Sequence, residues 1–299
     1  MQEESVDNPL VSSQEPAAST PETPGDPRRS RKARKRWSWQ RWVANLMIVV
    51  GVLAIPGYFL GSCGYTWLQQ RELRQDLETS NPEMVAAGAA LNSADFIPMD
   101  TRAEDAVDPS ATDPSATDPS TNDTESTAAE TAIAAAKAER DAQLAAFKAA
   151  ADAFAVTVSG QTRTPIGRIV IPSIGVDVVM LEGTSKGDLK EGPGHWEETP
   201  FPGQGGNFVV SGHRTTYGAP FFKLNEVEVG DEIDLVLPYA VARYRVTKVF
   251  IVYPDEVETV GQRGREQVSL AACHPIYSAK QRIVAQGDLT SFKLVEPQD

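Results

Sequence analysis

The 299-residue sequence predicts an all-β domain, a closed or nearly closed β-barrel with short helices, set behind an N-terminal membrane helix, a disordered linker and an Ala-rich helix. Three observations predict it. After Gly160, short apolar runs with period two are broken by Gly, Pro and Asp, as in strands of one curled sheet. Trp42 to Cys63 carries no charged side chain and is long enough to cross a bilayer as a helix. Between these two regions lie a Pro- and Asp-rich repeat and an Ala-rich stretch, neither with the apolar density of a core.

Residues 1–41 form a polar tail. Met1 to Pro27 is rich in Pro, Ser, Thr and Glu and has too few large apolar residues to fold. Arg28 to Arg41 is strongly basic and contains Trp37 and Trp39. In isolation such a cluster reads as a nucleic-acid contact. Its place directly before an apolar span, and a net charge of −13, argue instead for the cytoplasmic side of a membrane and against nucleic acid as a partner. Residues 42–63 are the span, with lipid as its partner, the N-terminus inside and everything downstream outside. A cleaved signal peptide is the competing reading, but the long preceding tail and the long span favour an uncleaved single-pass anchor in the cell membrane.

Residues 64–123 read as an extended acidic linker, because the repeat Asp108-Pro109-Ser110-Ala111-Thr112 recurs at Asp113 and begins again as Asp118-Pro119-Ser120. Residues 124–155 have strong helix propensity. Their larger side chains, Ile133, Leu144, Phe147 and Phe154, form only a thin stripe, so the expectation is a stalk helix lying loosely on or near the next domain.

Residues 160–296 hold the strands. Ile169 and Ile171 alternate with Arg168 and Val170, and Val176 to Met180 is a second run. Ile233, Leu235 and Leu237 oppose Asp234, and Tyr244, Val246, Phe250 and Val252 share one parity in a longer strand. Pro220 to Leu224 is the candidate short helix.

Two of these runs end on reactive side chains. Ser269-Leu270-Ala271-Ala272-Cys273-His274-Pro275 places a thiol at the C-terminal end of a buried strand, and Arg282 opens the following run, Ile283-Val284-Ala285. Upstream, Asn207-Phe208-Val209-Val210-Ser211-Gly212-His213-Arg214 ends an apolar run on Gly-His. A thiol, an imidazole and a permanently charged guanidinium supply a nucleophile, an acid/base and a charge for a developing oxyanion. The only other cysteine, Cys63, lies at the end of the span, so no disulfide framework exists inside the domain.

In this order and spacing the three residues resemble the sortases, the cysteine transpeptidases of Gram-positive bacteria. The resemblance covers Thr164 to about Leu294. It implies the closed β-barrel of that family, with Cys273 as nucleophile, His213 as acid/base and Arg282 as the oxyanion-side cation. The family usually has Thr before the Cys and at the first motif position, where this chain has Ala272 and Ser269. Substrate contacts are therefore expected at Ala272 and Ser269, with Tyr217 beside them, and the missing hydroxyl bears on binding strength more than on reaction class. The loop Asp255 to Gln267 is expected to wall the substrate groove. The run from Ser211 to Phe221 and the Cys-His-Pro-x-x-Ser-Ala-x-Gln-Arg stretch look most like class E, the housekeeping type of actinobacteria.

The resemblance implies cleavage of a C-terminal sorting signal (Leu-Ala-x-Thr-Gly or Leu-Pro-x-Thr-Gly) between Thr and Gly. The protein is then joined to an amino group of a peptidoglycan precursor, or of a pilin if the enzyme polymerises pili. A different class of reading is a tethered barrel that binds wall polymer or protein without catalysis. No cofactor or metal is expected. Cys273, His274 and His195 have poor zinc spacing, and Asp255, Glu256 and Glu258 read as a solvated loop before a calcium site. His195, in Gly192-Pro193-Gly194-His195-Trp196, is expected to shape a loop or groove wall. A papain-like peptidase needs its Cys before its His, the reverse of the order here.

Overall fold

A computed structural model describes residues 34–91, 95–99, 123–262 and 264–295. The chain divides into two units, Met1–Ile55 and Pro56–Asp299. The polar tail through residue 33, the five-residue repeat and the C-terminal residues 296–299 lie outside the described residues. Helix α1 runs Arg34–Ser80. Within it, Trp39–Tyr58 is long and apolar enough to cross a membrane, the single such stretch among the described residues.

The second unit is a barrel. Its strands are β2 (Pro165–Ile171), β3 (Val176–Glu182), β4 (Gly194–His195), β5 (Asn207–Gly212), β6 (Glu232–Val236), β7 (Ala240–Val252), β8 (Gln267–His274) and β9 (Gln281–Leu294). Hydrogen bonding follows the order β9-β7-β6-β2-β3-β4-β5-β8, and β8 pairs back onto β9, which leaves no open edge in the ring. A two-residue strand β1 (Ile97–Pro98) extends the sheet beyond this ring by pairing with Phe292 and Ser291 of β9. Two pairs, β3–β4 and β5–β8, are parallel. The second of these brings two strand C-termini to one end of the barrel.

The barrel is filled by Ile166, Ile169, Phe208, Val210, Ile233, Leu235, Tyr244, Leu270, Ala272 and their neighbours. The alternation read from the sequence holds for Ile169, Ile171, Ile233 and Leu235, all fully buried. In β7 it breaks. Register slips between Val246 and Lys248, so two residues of β7 oppose one of β9, and such a bulge turns every later side chain to the other face. Val249 therefore packs on the interior. Phe250 and Val252 join an outer layer with Val209, Val260, Ala271 and Val284. The predicted helix at Pro220 to Leu224 is instead a run of turns leading into a 3-10 turn at Leu224–Glu226.

Three further expectations are corrected. The segment taken as an extended linker from residue 64 continues α1 to Ser80 and adds α2 (Pro82–Ala89). Leu73, Leu77, Met84 and Ala87 of these helices form a second core with Val179, Leu181, Val236 and Val241. Each of the larger side chains buried there stabilises by roughly 1.5–3 kcal/mol, which outweighs the solvation that keeps a linker extended. Gln70 adds directional contacts: its amide accepts from Val179 N (2.8 Å) and donates to Val179 O (3.1 Å) and Glu191 O (2.8 Å), so a helix side chain pairs with the backbone of β3.

The expected loose stalk is α3 (Asp123–Val158). Phe147 and Ala151 are buried, Phe147 stacks on Phe292 at 4.5 Å, and Phe154 meets Phe201 edge-on at 5.3 Å. Its C-terminal half is part of the core. A thin aromatic stripe suffices because each ring finds an aromatic partner on the barrel.

His195 is the third. It is fully buried, not a groove-wall residue. Its Nδ1 lies 2.8 Å from Glu182 Oε2, its Nε2 lies 3.0 Å from Thr199 Oγ1, and its ring stacks on Phe208 at 4.4 Å. β4 sits between β3 and β5 in the closed sheet, so a side chain that the Gly/Pro context made look loop-like points into the interior.

Candidate active site

Strands β5 and β8 are parallel, with Gly212 level with Ala272, so His213, the next residue, stands beside Cys273. On the other side β9 is antiparallel to β8 and pairs Arg282 with Cys273 directly. Opposed residues in such a pair lie about 4.5–5.5 Å apart at Cα and share a face. Cys273 is thus flanked by His213 on one strand and Arg282 on the other, and all three are half-buried.

The Gly before His213 has a steric cause. A Cβ at Gly212 would stand 2.5 Å from the Phe221 ring, so only glycine lets that ring close over the end of β5. Phe221 in turn donates its backbone N–H to His213 O at 3.2 Å. The intervening loop passes through three left-handed residues, Tyr217, Gly218 and Ala219. It folds the Tyr217 ring to 5.1 Å from the His213 ring. Burial alone holds His213 below the usual imidazole range.

Arg282 has a different environment. Its Nη1 donates to Ala279 O (3.1 Å) and Gln281 O (3.0 Å), both in its own turn. The loop before it, Pro275 to Lys280, is largely exposed, with Tyr277 at 78% and in the left-handed region. Val252, at the end of β7, pairs with Arg282. Ile251, Tyr253 and Val257 are exposed apolar side chains nearby, with Ile251 opposite Ile283 on the other face of the sheet.

Arg214 is the residue that reading the sequence for chemistry missed. It is only 2% exposed. Nη1 donates to Cys273 O (3.2 Å) and His274 Nδ1 (3.0 Å), Nη2 to Asn225 Oδ1 (2.6 Å), and Nε to Phe222 O (3.3 Å). Because a guanidinium accepts nothing, His274 Nδ1 is the acceptor and its ring proton sits on Nε2. Burial pulls Arg214 down from the usual guanidinium value, and the Cys273 charge opposes that pull. The available signal was an Arg directly after the Gly-His pair, a position where a strand end gives no reason for a cation.

Two of the three expected substrate contacts are moved by the structure. Ala272 is buried in the barrel interior. Ser269 is also fully buried, where its Oγ donates to Asn207 Oδ1 (2.9 Å) and accepts from Gln286 Nε2 (2.9 Å). Alternation in β8 decides this: Leu270 and Ala272 face inward, and Ser269 lies four residues below the thiol, under the outer layer. Tyr217 is partly exposed and lines a cavity of about 530 Å³ with Trp67, Gln70, Pro193 and Pro220. Among the described residues no group of three or more His, Cys, Asp or Glu side chains is placed to hold a metal ion.

Residues 169–290 match the family model described as the sortase domain, a range that contains His213, Arg214, Cys273 and Arg282. That stretch of the chain is a sortase domain by this match. Among curated sortases it is 32% identical over 131 residues to sortase D of Bacillus subtilis, covering 42% of this chain and 65% of that protein. It is 31% identical over 129 residues to sortase A of Bacillus anthracis, covering 43% and 61%. The chain therefore spans less than two thirds of the length of these relatives. Among solved structures, sortase E from Streptomyces avermitilis is 31% identical, with a TM-score of 0.41 over 46% of this chain and 96% of that one. As in other sortases, the strands form a closed eight-stranded barrel.

Proposed function

We propose that this sortase is a membrane-anchored cysteine transpeptidase of the class E type that cleaves a sorting signal between Thr and Gly. Cys273 Sγ attacks the Thr carbonyl carbon as the thiol proton passes to His213, and the tetrahedral intermediate collapses as His213 hands that proton to the departing Gly amine. An amino group of a peptidoglycan precursor then displaces Cys273 from the thioester, and the thiol is restored. Arg282 steadies the oxyanion in both steps. The observation that carries this reading is the pairing of Cys273 with Arg282 on one side and its level placement with the residue after Gly212 on the other. The apolar side chains of Val252 and Val284, on the outer face that Cys273 and Arg282 share, suit the Leu and Ala side chains of a Leu-Ala-x-Thr-Gly signal. The span Trp39–Tyr58 supports an anchor, and the basic residues before it support an N-terminus in the cytoplasm with the barrel outside.

The test is to incubate the full chain in detergent with a Leu-Ala-x-Thr-Gly peptide and an amine acceptor, and to follow products by mass spectrometry. Cleavage after Thr, a thioester on Cys273 and loss of both in Cys273→Ala are expected. Folded protein with an intact thiol that forms neither adduct nor product with this peptide or its Leu-Pro-x-Thr-Gly counterpart overturns the reading in favour of a binding module.

A further inference from the structure

We propose that Arg214 is a positioning residue that supplies the standing positive charge of the site: it clamps the Cys273 turn to the end of β5 and gives the Cys273 sulfur a cation to face when it is an anion. The inference rests on Cys273 being the nucleophile, and not on which peptide it attacks.

The argument begins from charge balance in the interior. The partly buried arginines on the outer face of the barrel wall each hold a carboxylate, Arg168 with Asp177 at 2.7 Å and Arg243 with Asp234 at 2.8 Å. Arg214 is more buried than either, yet among the described residues its four hydrogen-bond partners are two backbone carbonyls, an amide oxygen and a ring nitrogen, all neutral. A buried charge without a counter-charge is costly, and a fold that keeps one has an anion to meet there. The neighbouring group that becomes an anion on losing its proton is the cysteine whose carbonyl it already grips. The Cys273 charge acts on Arg214 in the same sense, opposing the effect of burial.

The other groups facing Cys273 do not replace this charge. His213, from the end of β5, is held below the usual imidazole range by burial and so carries little charge at neutral pH. His274, next to Cys273 on β8, is committed as an acceptor to Arg214. Arg282, from β9, is tied to the carbonyls of its own half-exposed turn, where solvent screens it. Arg214 also fixes geometry, because Asn225 and the Phe222 carbonyl hold its guanidinium from the far side. A planar fork can hold those directions together, and an ammonium cannot.

The experiment measures alkylation of Cys273 by iodoacetamide across pH in the full chain, following the Cys273 peptide by mass spectrometry separately from Cys63. In R214Q the rate at pH 7 should fall about tenfold, the change that one unit of ionisation gives, and half-maximal reactivity should be reached at a higher pH than in the parent. R214K, which keeps the charge, should restore most of the reactivity, while peptide transfer stays impaired because the fork is lost. R282Q should lose transfer yet alkylate close to the parent rate. The proposal is overturned if folded R214Q keeps the parent pH profile, or if R214K falls as far as R214Q. Should R214Q not fold, a tenfold loss of alkylation in R282Q overturns it, because the charge felt by the sulfur is then that of Arg282. A chain that transfers no peptide but shows the expected alkylation series refutes the transpeptidase reading and leaves this one standing.

Discussion

The two rims of Cys273 are built on different principles. On the β5 side, Gly212 admits the Phe221 ring, Phe221 bonds back to His213, and the buried Arg214 guanidinium ties together the Cys273 carbonyl, His274, the Phe222 carbonyl and Asn225. On the β9 side, Arg282 holds only carbonyls of its own turn, and the loop before it is exposed. One rim is over-determined by packing, while the other is set by strand register and by a loop with few partners. In the mechanism proposed above, the imidazole that must keep a fixed relation to the thiol sits on the packed rim, and the guanidinium that meets and releases the substrate sits on the open one.

The comparison breaks first at His213. His213→Ala should lower peptide transfer by the roughly 10²–10⁴-fold typical of a removed acid/base, with the barrel's Tm close to the parent value. A large fall in Tm would mean that this rim is chiefly structural. Gly212→Ala should be the most damaging for stability, about 1–3 kcal/mol by overpacking against Phe221. Denaturant titration measures it, and a neutral result would show that the ring yields and the rim is softer than its packing implies.

Arg282→Lys sharpens the contrast from the other side. Its stability should stay within about 0.5 kcal/mol of the parent, as for exposed positions, while transfer stays poor because an ammonium lacks the planar fork. Near-normal kcat/KM would reduce the role of Arg282 to local charge.

Two pH effects are smaller. His213 sits below the usual imidazole range through burial, so kcat/KM should hold down to about pH 6.5 and fall only below it, as protonation removes the base that accepts the thiol proton. An acid limb centred above that range would contradict the burial of this rim. Away from the site, burial would raise the Asp177 carboxyl, but hydrogen bonds from Arg74 and Arg168 hold it below the usual carboxylate range. A depressed carboxylate adds stability above its unfolded value of 3.8 and loses it as pH falls through the lower folded value. Arg74→Ala should therefore cost less than about 1 kcal/mol at pH 7, as for half-exposed pairs, and the difference should shrink toward pH 2–3. Equal destabilisation at both pH values would assign the loss to packing of α1 instead.

The sequence by itself determined the class of the fold and pointed to the residues proposed for the chemistry. Cys273, His213 and Arg282 were legible because each ends or opens an apolar run, and period-two alternation marks strands whatever they pair with. The apolar span was equally legible, since length and lack of charge are local properties. Tertiary structure alone decided what depends on partners distant in the chain. The bulge at Val246 and Lys248 reversed the expected facing of Phe250 and Val252, because it arises from a mismatch with β9 and leaves no mark on the alternation. Closure of β8 onto β9 and the stacking of β4 within the sheet buried Ser269, Ala272 and His195, whose neighbours in sequence are small or turn-forming and gave no sign of it. The helices after the span read as linker and stalk because too few of their side chains are apolar to fold alone. They are structured because Leu73, Leu77, Met84 and Phe147 meet apolar surface that only the assembled barrel provides.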